Sequence, residues 1–399
     1  MFTSQEVKFN MLAQAGVKIR GEYCSKCSVC SSVCPFEAIF ADEKTGELVI
    51  DLEKCRICGL CFSSCPSSAI DIAYYDRDSL INYVKEHIRE TGLDKLVLRC
   101  QSASLSDEVK DRLKRHGISE YITLRVPCVG RVPPELALRI LALGIKKIAV
   151  IPCKGENCRF ERGSNIGLLR FSLTQTLLGQ LGLEEDTLIV IRSLVKAHVD
   201  ANRCIECGNC VYTCPYDAIH FGSPGAAQVD ENACWGCGAC ITVCPAMAIS
   251  LDEFNHKFLP QAITRYARIV REMKHKNGKP AVLVLHCQWA KFQLTSGSSS
   301  YPDGNVALLE LPCSSAFDPM YVIQALYEGF DGVMIAACKK GECRFEDGNE
   351  LAEQRMSTLK RLLAQLNLEN KVELCFTSPK YLGEFDDNVK LFVNKLKPM

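Results

Sequence analysis

One pattern, Cx2Cx2Cx3CP, occurs four times and limits what the chain can fold into. The copies are Cys24, Cys27, Cys30 and Cys34 before Pro35; Cys55, Cys58, Cys61 and Cys65 before Pro66; Cys204, Cys207, Cys210 and Cys214 before Pro215; and Cys234, Cys237, Cys240 and Cys244 before Pro245. Cysteine makes up 25 of 399 residues, against 7 His. Disulfide scaffolds this rich in cysteine are short secreted chains. Structural zinc prefers paired CxxC or Cys with His. Iron–sulfur clusters use thiolates almost exclusively. A cubane needs four converging thiolates: a Cx2Cx2C loop supplies three, and the last Cys of each run ligates the neighbouring cluster. The expected sets are Cys24, Cys27, Cys30 with Cys65; Cys55, Cys58, Cys61 with Cys34; Cys204, Cys207, Cys210 with Cys244; and Cys234, Cys237, Cys240 with Cys214. That makes four 4Fe–4S clusters. The Pro after each fourth Cys stiffens the turn and removes a competing backbone donor.

Eight further cysteines form two matching sets, Cys100, Cys128, Cys153, Cys158 and Cys287, Cys313, Cys338, Cys343. Cys24 and Cys204 are 180 residues apart, and Cys128 and Cys313 are 185 apart. CKGENCRFERG at 153–163 recurs as CKKGECRFEDG at 338–348. One unit is therefore present twice, with its boundary near Val195–Ala201. The expected domains are 1–77, 78–196, 197–252 and 253–399. In each unit a Cys-rich part with thin apolar content, folded largely by metal, precedes an α/β part. KLVLRC, ITLRVPC, KKIAVIPC and DTLIVIRSL read as short buried strands, as do AVLVLHC, VALLELPC, GVMIAAC and KVELCF. SDEVKDRLKRHG, PPELALRILALG, GSNIGLLRFSLTQTLLGQLGL, DPMYVIQALYEG and ELAEQRMSTLKRLLAQLNL read as helices. Alternating apolar strands and helices predict parallel sheets covered on both faces. Cys100, Cys128 and Cys153 then fall at strand carboxyl ends, the ligand-binding edge of such sheets, with Cys158 on the last loop. Cys287, Cys313, Cys338 and Cys343 repeat the layout. Four thiolates there suit a cluster, with structural zinc as the alternative.

The four runs, with their tails CPFEAI, CPSSAI, CPYDAI and CPAMAI, resemble bacterial two-cluster ferredoxins, which implies low-potential one-electron transfer. LRC…VPCVGRVPPE…IPCKGENCRF resembles the delta subunit of methyl-viologen-reducing hydrogenase, the electron-transfer partner of heterodisulfide reductase. That resemblance implies a 2Fe–2S cluster on Cys100, Cys128, Cys153 and Cys158, and a second on Cys287, Cys313, Cys338 and Cys343. Gly130 and Arg131 match the family's CxGRV text, whereas the second unit has CSSAFDP at 313–319. The fold class expected is thus α+β and α/β, with two ferredoxin-like domains alternating with two small parallel-sheet domains.

Other residues carry weaker signals. Arg159 and Arg344 follow the last Cys of each α/β set, either as cations tuning a cluster or as solvated loop charges. Trp235 could shield a cluster, dock a partner or only pack locally. His286 precedes Cys287 and reads as a core histidine, and Cys375 reads as a core residue without a counterpart. Residues 21–75 carry 4 basic and 8 acidic side chains, a docking patch or a solvated face. Lys+Arg and Asp+Glu are both 47, which argues against nucleic-acid or polybasic membrane binding. No apolar run reaches a membrane span, and MFTSQEVKFN lacks a signal-peptide layout, so a cytoplasmic protein is expected. No GxGxxG follows a strand, and Walker A, Ser-His-Asp and HExxH patterns are missing. The expectation is an electron-relay subunit serving a heterodisulfide-reductase-like flavoprotein and a dehydrogenase or hydrogenase, with no substrate chemistry of its own. A redox enzyme with an unrecognised flavin or substrate site, and a scaffold with zinc in the α/β parts, are the alternatives.

Overall fold

The computed structural model describes residues 15–153, 158–222, 225–292 and 301–397. MFTSQEVKFN and the 154–157 portion of CKGENCRFERG lie outside the described residues. The chain divides into two compact units, Met1–Leu194 with Lys380–Leu382, and Val195–Pro379 with Gly383–Met399.

Each unit begins with a Cys-rich segment made of two antiparallel strand pairs. Val17–Ile19 pairs with Ile70–Ile72 and Ile39–Ala41 with Leu48–Ile50. In the second unit Ala197–Val199 pairs with Ile249–Leu251 and Ile219–Phe221 with Ala227–Val229. Strands of three residues bury little apolar area, so such a segment leans on other forces for its stability. One-turn helices Val29–Ser32, Leu60–Ser64, Asn209–Thr213 and Ala239–Thr242 carry Cys30, Cys61, Cys210 and Cys240, the third cysteine of each run.

The rest of each unit is a four-stranded parallel sheet. Its order in the first unit is Ile122–Val126, Lys95–Cys100, Lys147–Ile151, Leu188–Val190. In the second it is Asn305–Leu311, Ala281–Cys287, Gly332–Cys338, Val372–Thr377. Alternate residues of a strand face opposite layers. Leu283 and Leu285 pack with helix Phe258–Asn277, while Val282 and Val284 pack with helix Glu384–Lys395. The first strand lies between the second and third, which creates a topological switch point at its carboxyl end. Proline sets where the strands stop. Pro127, Pro152 and Pro312 have no N–H to give, and the strands before them end at Val126, Ile151 and Leu311. GVMIAAC has no Pro and continues to Cys338. Helices Arg77–Thr91, Phe258–Asn277 and Glu384–Lys395 lie outside the periodic segments named above. The first is fixed by the Asp76 carboxylate, which accepts the Asp78 and Ser79 N–H groups at 3.0 Å, and by Gly92 at φ +69.

Candidate iron–sulfur sites

The loops of the four runs share one local geometry. The residues flanking the second cysteine lie at positive φ in every copy: Lys26 and Ser28, Ile57 and Gly59, Glu206 and Gly208, Gly236 and Gly238. Two left-handed residues in so short a loop curl it until its three sulfurs face inward. Side chains avoid this region, β-branched ones most of all, and Ile57 sits there at +48. A similar turn follows each fourth cysteine. Glu37, Ser68, Asp217 and Met247 lie at φ +48 to +51. They aim the next N–H back at sulfur: Ala38 to Cys34 at 3.4 Å, Ala69 to Cys65 at 3.2 Å, Ala218 to Cys214 at 3.4 Å and Ala248 to Cys244 at 3.2 Å. All four alanines are buried, which leaves no room for a larger side chain. The small-residue tails thus have a physical reason. Such N–H···S bonds stabilise negative sulfur.

The curled loops line four cavities that open partly to the surface. Cys24, Cys27, Cys30 and Cys65 line one, and Cys55, Cys58, Cys61 and Cys34 line its neighbour. In the second unit Cys204, Cys207, Cys210 and Cys244 line one, and Cys234, Cys237, Cys240 and Cys214 the other. Each cavity therefore combines three cysteines of one run with the last of the other. Four thiols set in mostly apolar walls are the donor set that an iron–sulfur cluster takes. The two cavities of a segment differ in burial. Cys27 and Cys207 are exposed, and the Val29 N–H draws the Cys27 thiol below its ordinary range. Burial pushes Cys58 and Cys237 up to about 12, and raises Cys61 and Cys240 well above the thiol range.

Those inner cavities adjoin the α/β cysteines. Cys100, Cys128, Cys158 and Cys153 form a closed ring in which each sulfur is in hydrogen-bonding contact with two others. Cys287, Cys313, Cys343 and Cys338 form the same ring. Cys158 is drawn down to about 3 and Cys343 to about 2 by S–H donors on both sides. Cys128, Cys153, Cys313 and Cys338 hold their protons more tightly. Backbone donors complete the first ring: Val129 N–H to Cys100 Sγ and Gly130 N–H to Cys128 Sγ, both at 3.3 Å. Helices Gly163–Gln180 and Gly348–Ala364 begin at the rings and bring their partly positive N-termini to the sulfurs. The starting glycines are forced. A Cβ at Gly163 would lie 2.7 Å from Cys128 Sγ, and one at Gly348 2.4 Å from Cys313 Sγ. Among the described residues no group of three or more His, Cys, Asp or Glu is arranged to hold a single metal ion.

Several further residues now have positions. Arg344 is buried, over the Trp235 ring at 5.6 Å and Phe345 at 4.8 Å, rather than on a solvated loop. Arg159 is half-buried over Phe160 at 5.8 Å. Trp235 lines the inner cavity of the second unit and stacks on Tyr216 at 5.1 Å. His286 is buried with its ring edge-on to Phe385 at 5.7 Å and its Nδ1 3.3 Å from the Cys287 carbonyl oxygen. Cys375 lies in the apolar layer under helix Glu384–Lys395. Much of the acidic character of 21–75 is used locally. Asp42 caps the Lys44 and Thr45 N–H groups, Asp51 caps Glu53, and Asp71 meets Arg20 at 3.3 Å. Sequence reasoning missed Arg170 and Arg355, which hold the turn after Cys128 and Cys313 through the carbonyls of Gly130 and Ser315. Their shared offset of 185 residues was the available signal.

The family model described as methyl-viologen-reducing hydrogenase, delta subunit, matches residues 96–197 and 282–399. Models of 4Fe-4S dicluster domains match 23–69 and 197–251. The chain is 33% identical over 260 residues to a ferredoxin:CoB-CoM heterodisulfide reductase subunit from Methanosarcina mazei, covering 64% of this chain and 30% of that protein. It is 32% identical over 95 residues to an F(420)-non-reducing hydrogenase iron-sulfur subunit from Archaeoglobus profundus, covering 23% of this chain and 69% of that one. The chain thus spans less than a third of the heterodisulfide reductase protein it matches. No helix among the described residues is long and apolar enough to cross a membrane.

Proposed function

Because the chain belongs to the family of the methyl-viologen-reducing hydrogenase delta subunit, we propose that it works as the relay of a heterodisulfide-reductase-like complex, passing single electrons between a dehydrogenase or hydrogenase and a flavoprotein partner. Four 4Fe–4S clusters occupy the four loop cavities and two 2Fe–2S clusters the two rings, in modules 1–77, 78–196, 197–252 and 253–399. When bound, such clusters supply one-electron uptake and release. The chain's own residues hold them, set their spacing and tune them through N–H···S bonds, burial and nearby charge. The setting is a reducing cytoplasm, where thiols persist.

The observation that carries this reading is the crossing of cysteines. Each cavity takes three sulfurs from one run and the fourth from the other. Each inner cavity also adjoins a ring of four more. Ser315 of the second unit's turn donates to the Cys237 carbonyl at 3.3 Å, and Ser63 of the first donates to the Gly130 carbonyl at 2.8 Å. The test is iron, acid-labile sulfide and zinc per chain on anaerobically purified protein. About twenty irons with equal sulfide are expected from these cluster types. About sixteen irons with two zincs would leave the rings as structural zinc sites. About twenty-four would mean cubanes in all six. Flavin fluorescence released on unfolding would favour an enzyme with its own cofactor.

A further inference from the structure

Arg131 is fully buried, and none of its three guanidinium nitrogens has a hydrogen-bond partner among the described residues. A fold rarely carries an isolated buried cation, because the desolvation cost is large unless a compensating charge is near. The position follows from the local structure. Arg131 ends the Val129–Arg131 turn, whose N–H groups donate to Cys100 and Cys128. Its side chain then lies against the other site. A Cβ on Gly59 would come within 2.5 Å of Arg131 Nε and 3.1 Å of its Cζ. Gly59 follows Cys58 in the inner loop. The groups facing the guanidinium are the sulfurs of Cys58, Cys128 and Cys61 and the Tyr75 ring, whose centroid is 5.6 Å away. None of these is a carboxylate. Among the described residues, the negative charge nearest to Arg131 is that of the two cysteine sites it faces.

The second unit has the same backbone but no cation at this position; its buried Arg355, the counterpart of Arg170, faces Cys313 and Cys237, as Arg170 faces Cys128. Gly238 stands where Gly59 does, Ala316 stands where Arg131 does, and Ala316 is fully buried. We infer that Arg131 is the shared counter-charge of the Cys34, Cys55, Cys58, Cys61 site and the Cys100, Cys128, Cys153, Cys158 site, and that it makes this pair the place in the chain where an electron comes to rest. The inference rests on these sites holding clusters. An electron from a one-electron donor adds one negative charge, and no bond or proton changes. A fixed cation in a dry site stabilises that charge and raises the reduction potential. With Arg170 and Arg355 present alike in the two units, the second-unit pair lacks only this additional cation and gives up its electrons more readily.

The test is a dithionite titration of the anaerobic holoprotein followed by electron paramagnetic resonance, with iron and sulfide counted on every sample. Arg131→Met keeps the volume and drops the charge. At unchanged iron, a first-unit cluster becomes at least tenfold harder to reduce, which is about 59 mV for one electron. Arg131→Lys restores most of the shift. Unchanged midpoints in Arg131→Met at full iron overturn the inference. If Arg131→Met loses iron, two other variants decide. Cys128→Ala with Cys158→Ala removes the first ring, and Cys313→Ala with Cys343→Ala removes the second. The ring cluster surviving in the first unit must be reduced at the higher potential, and an equal or reversed order overturns the inference. A wild-type protein without iron in its rings shows instead that the cluster reading has failed, and the iron count reveals this before any titration.

Discussion

The two units hold their sulfurs alike and differ in what fills the space between inner cavity and ring. In the first the filling is cationic. Arg131 spans the gap, Arg56 adds positive charge at Cys55, and Phe36 meets Phe160 edge-on at 6.5 Å. In the second, aromatic rings fill this space in place of Arg131 and Arg56, with Arg355 facing Cys313 and Cys237. Trp235 and Tyr216 stack nearly parallel, Arg344 lies on the Trp235 face, and Ala316 replaces the guanidinium. Trp235 stands where Arg56 does, and Tyr216 where Phe36 does. A cation on an aromatic face contributes about 0.5–2 kcal/mol through the ring quadrupole. Arg131, though also near an aromatic ring at Tyr75, has no hydrogen-bonding partner among the described residues and acts on the two cysteine sites through its charge at low dielectric. Duplication therefore kept ligand geometry fixed while the electrostatics around it diverged. Geometry and potential are set by different residues and can change separately.

The largest expected effect tests the part that is shared. Gly163→Ala and Gly348→Ala each drive a methyl group into a ring sulfur, at 2.7 and 2.4 Å from Cys128 and Cys313 Sγ. Both variants should lose the iron of their own ring, about two atoms per chain for a 2Fe–2S cluster, and keep that of the cavities. Iron and sulfide analysis reads this directly. Loss in one unit alone would break the equivalence of the rings.

Next come the arginines that fasten ring to loop. Arg170 donates to the Ser63 hydroxyl and the Gly130 carbonyl at 2.5 Å, and also to Ser64. Arg355 donates to the carbonyls of Ser315 and Phe317, both in its own α/β segment. Arg170→Ala should cost about 2–4 kcal/mol, because charge-assisted bonds are lost and the Gly130 carbonyl keeps only the Ser63 hydroxyl. Arg355→Ala should cost less, since it does not tie the loop segment directly. Denaturant unfolding of the holoproteins gives the order, and a reversed order would show that the two arginines are not counterparts.

A smaller effect is expected at Tyr216, whose hydroxyl is buried without a partner among the described residues. The corresponding residue of the first unit is Phe36. Tyr216→Phe removes an unsatisfied polar group and keeps the stack on Trp235. Stability should hold or rise by about 1 kcal/mol in a thermal melt. A clear loss would mean that the hydroxyl has a role that Phe36 cannot fill.

These contrasts also mark what could be read from the sequence. The cysteine spacing revealed the loops, the strand-end cysteines and the duplication, because each is a local pattern or a fixed offset. Strand endings at Pro127, Pro152 and Pro312 are equally local. The contact of Arg131 with Gly59 is different. It joins residues 72 positions apart across two segments, and no periodicity records such a contact. The same holds for Arg170 with Ser63, over 107 positions. Gly163 and Gly348 were visible as the last letters of CRFERG and CRFEDG, but their reason, a sulfur at 2.7 or 2.4 Å, exists only in the fold.

The smallest effect concerns Cys375, which stands where the first unit has Ile191. It pairs with Ala336 in the sheet and packs under Phe385, Val389 and Phe392, away from the ring at the strand ends. Cys375→Val should leave iron and sulfide unchanged, unlike any substitution among the ring cysteines. Burial raises its thiol to about 12 from an ordinary 9.0. A raised folded value means the fold favours the protonated thiol. Its contribution is therefore full below pH 9, fades as pH rises through that range, and is gone above about 12. At pH 8 the native thiol should resist maleimide and react only after unfolding. Fast labelling of Cys375 in the iron-loaded native protein would show that the apolar layer beneath helix Glu384–Lys395 opens readily, and the two units would then differ in dynamics as well as in charge.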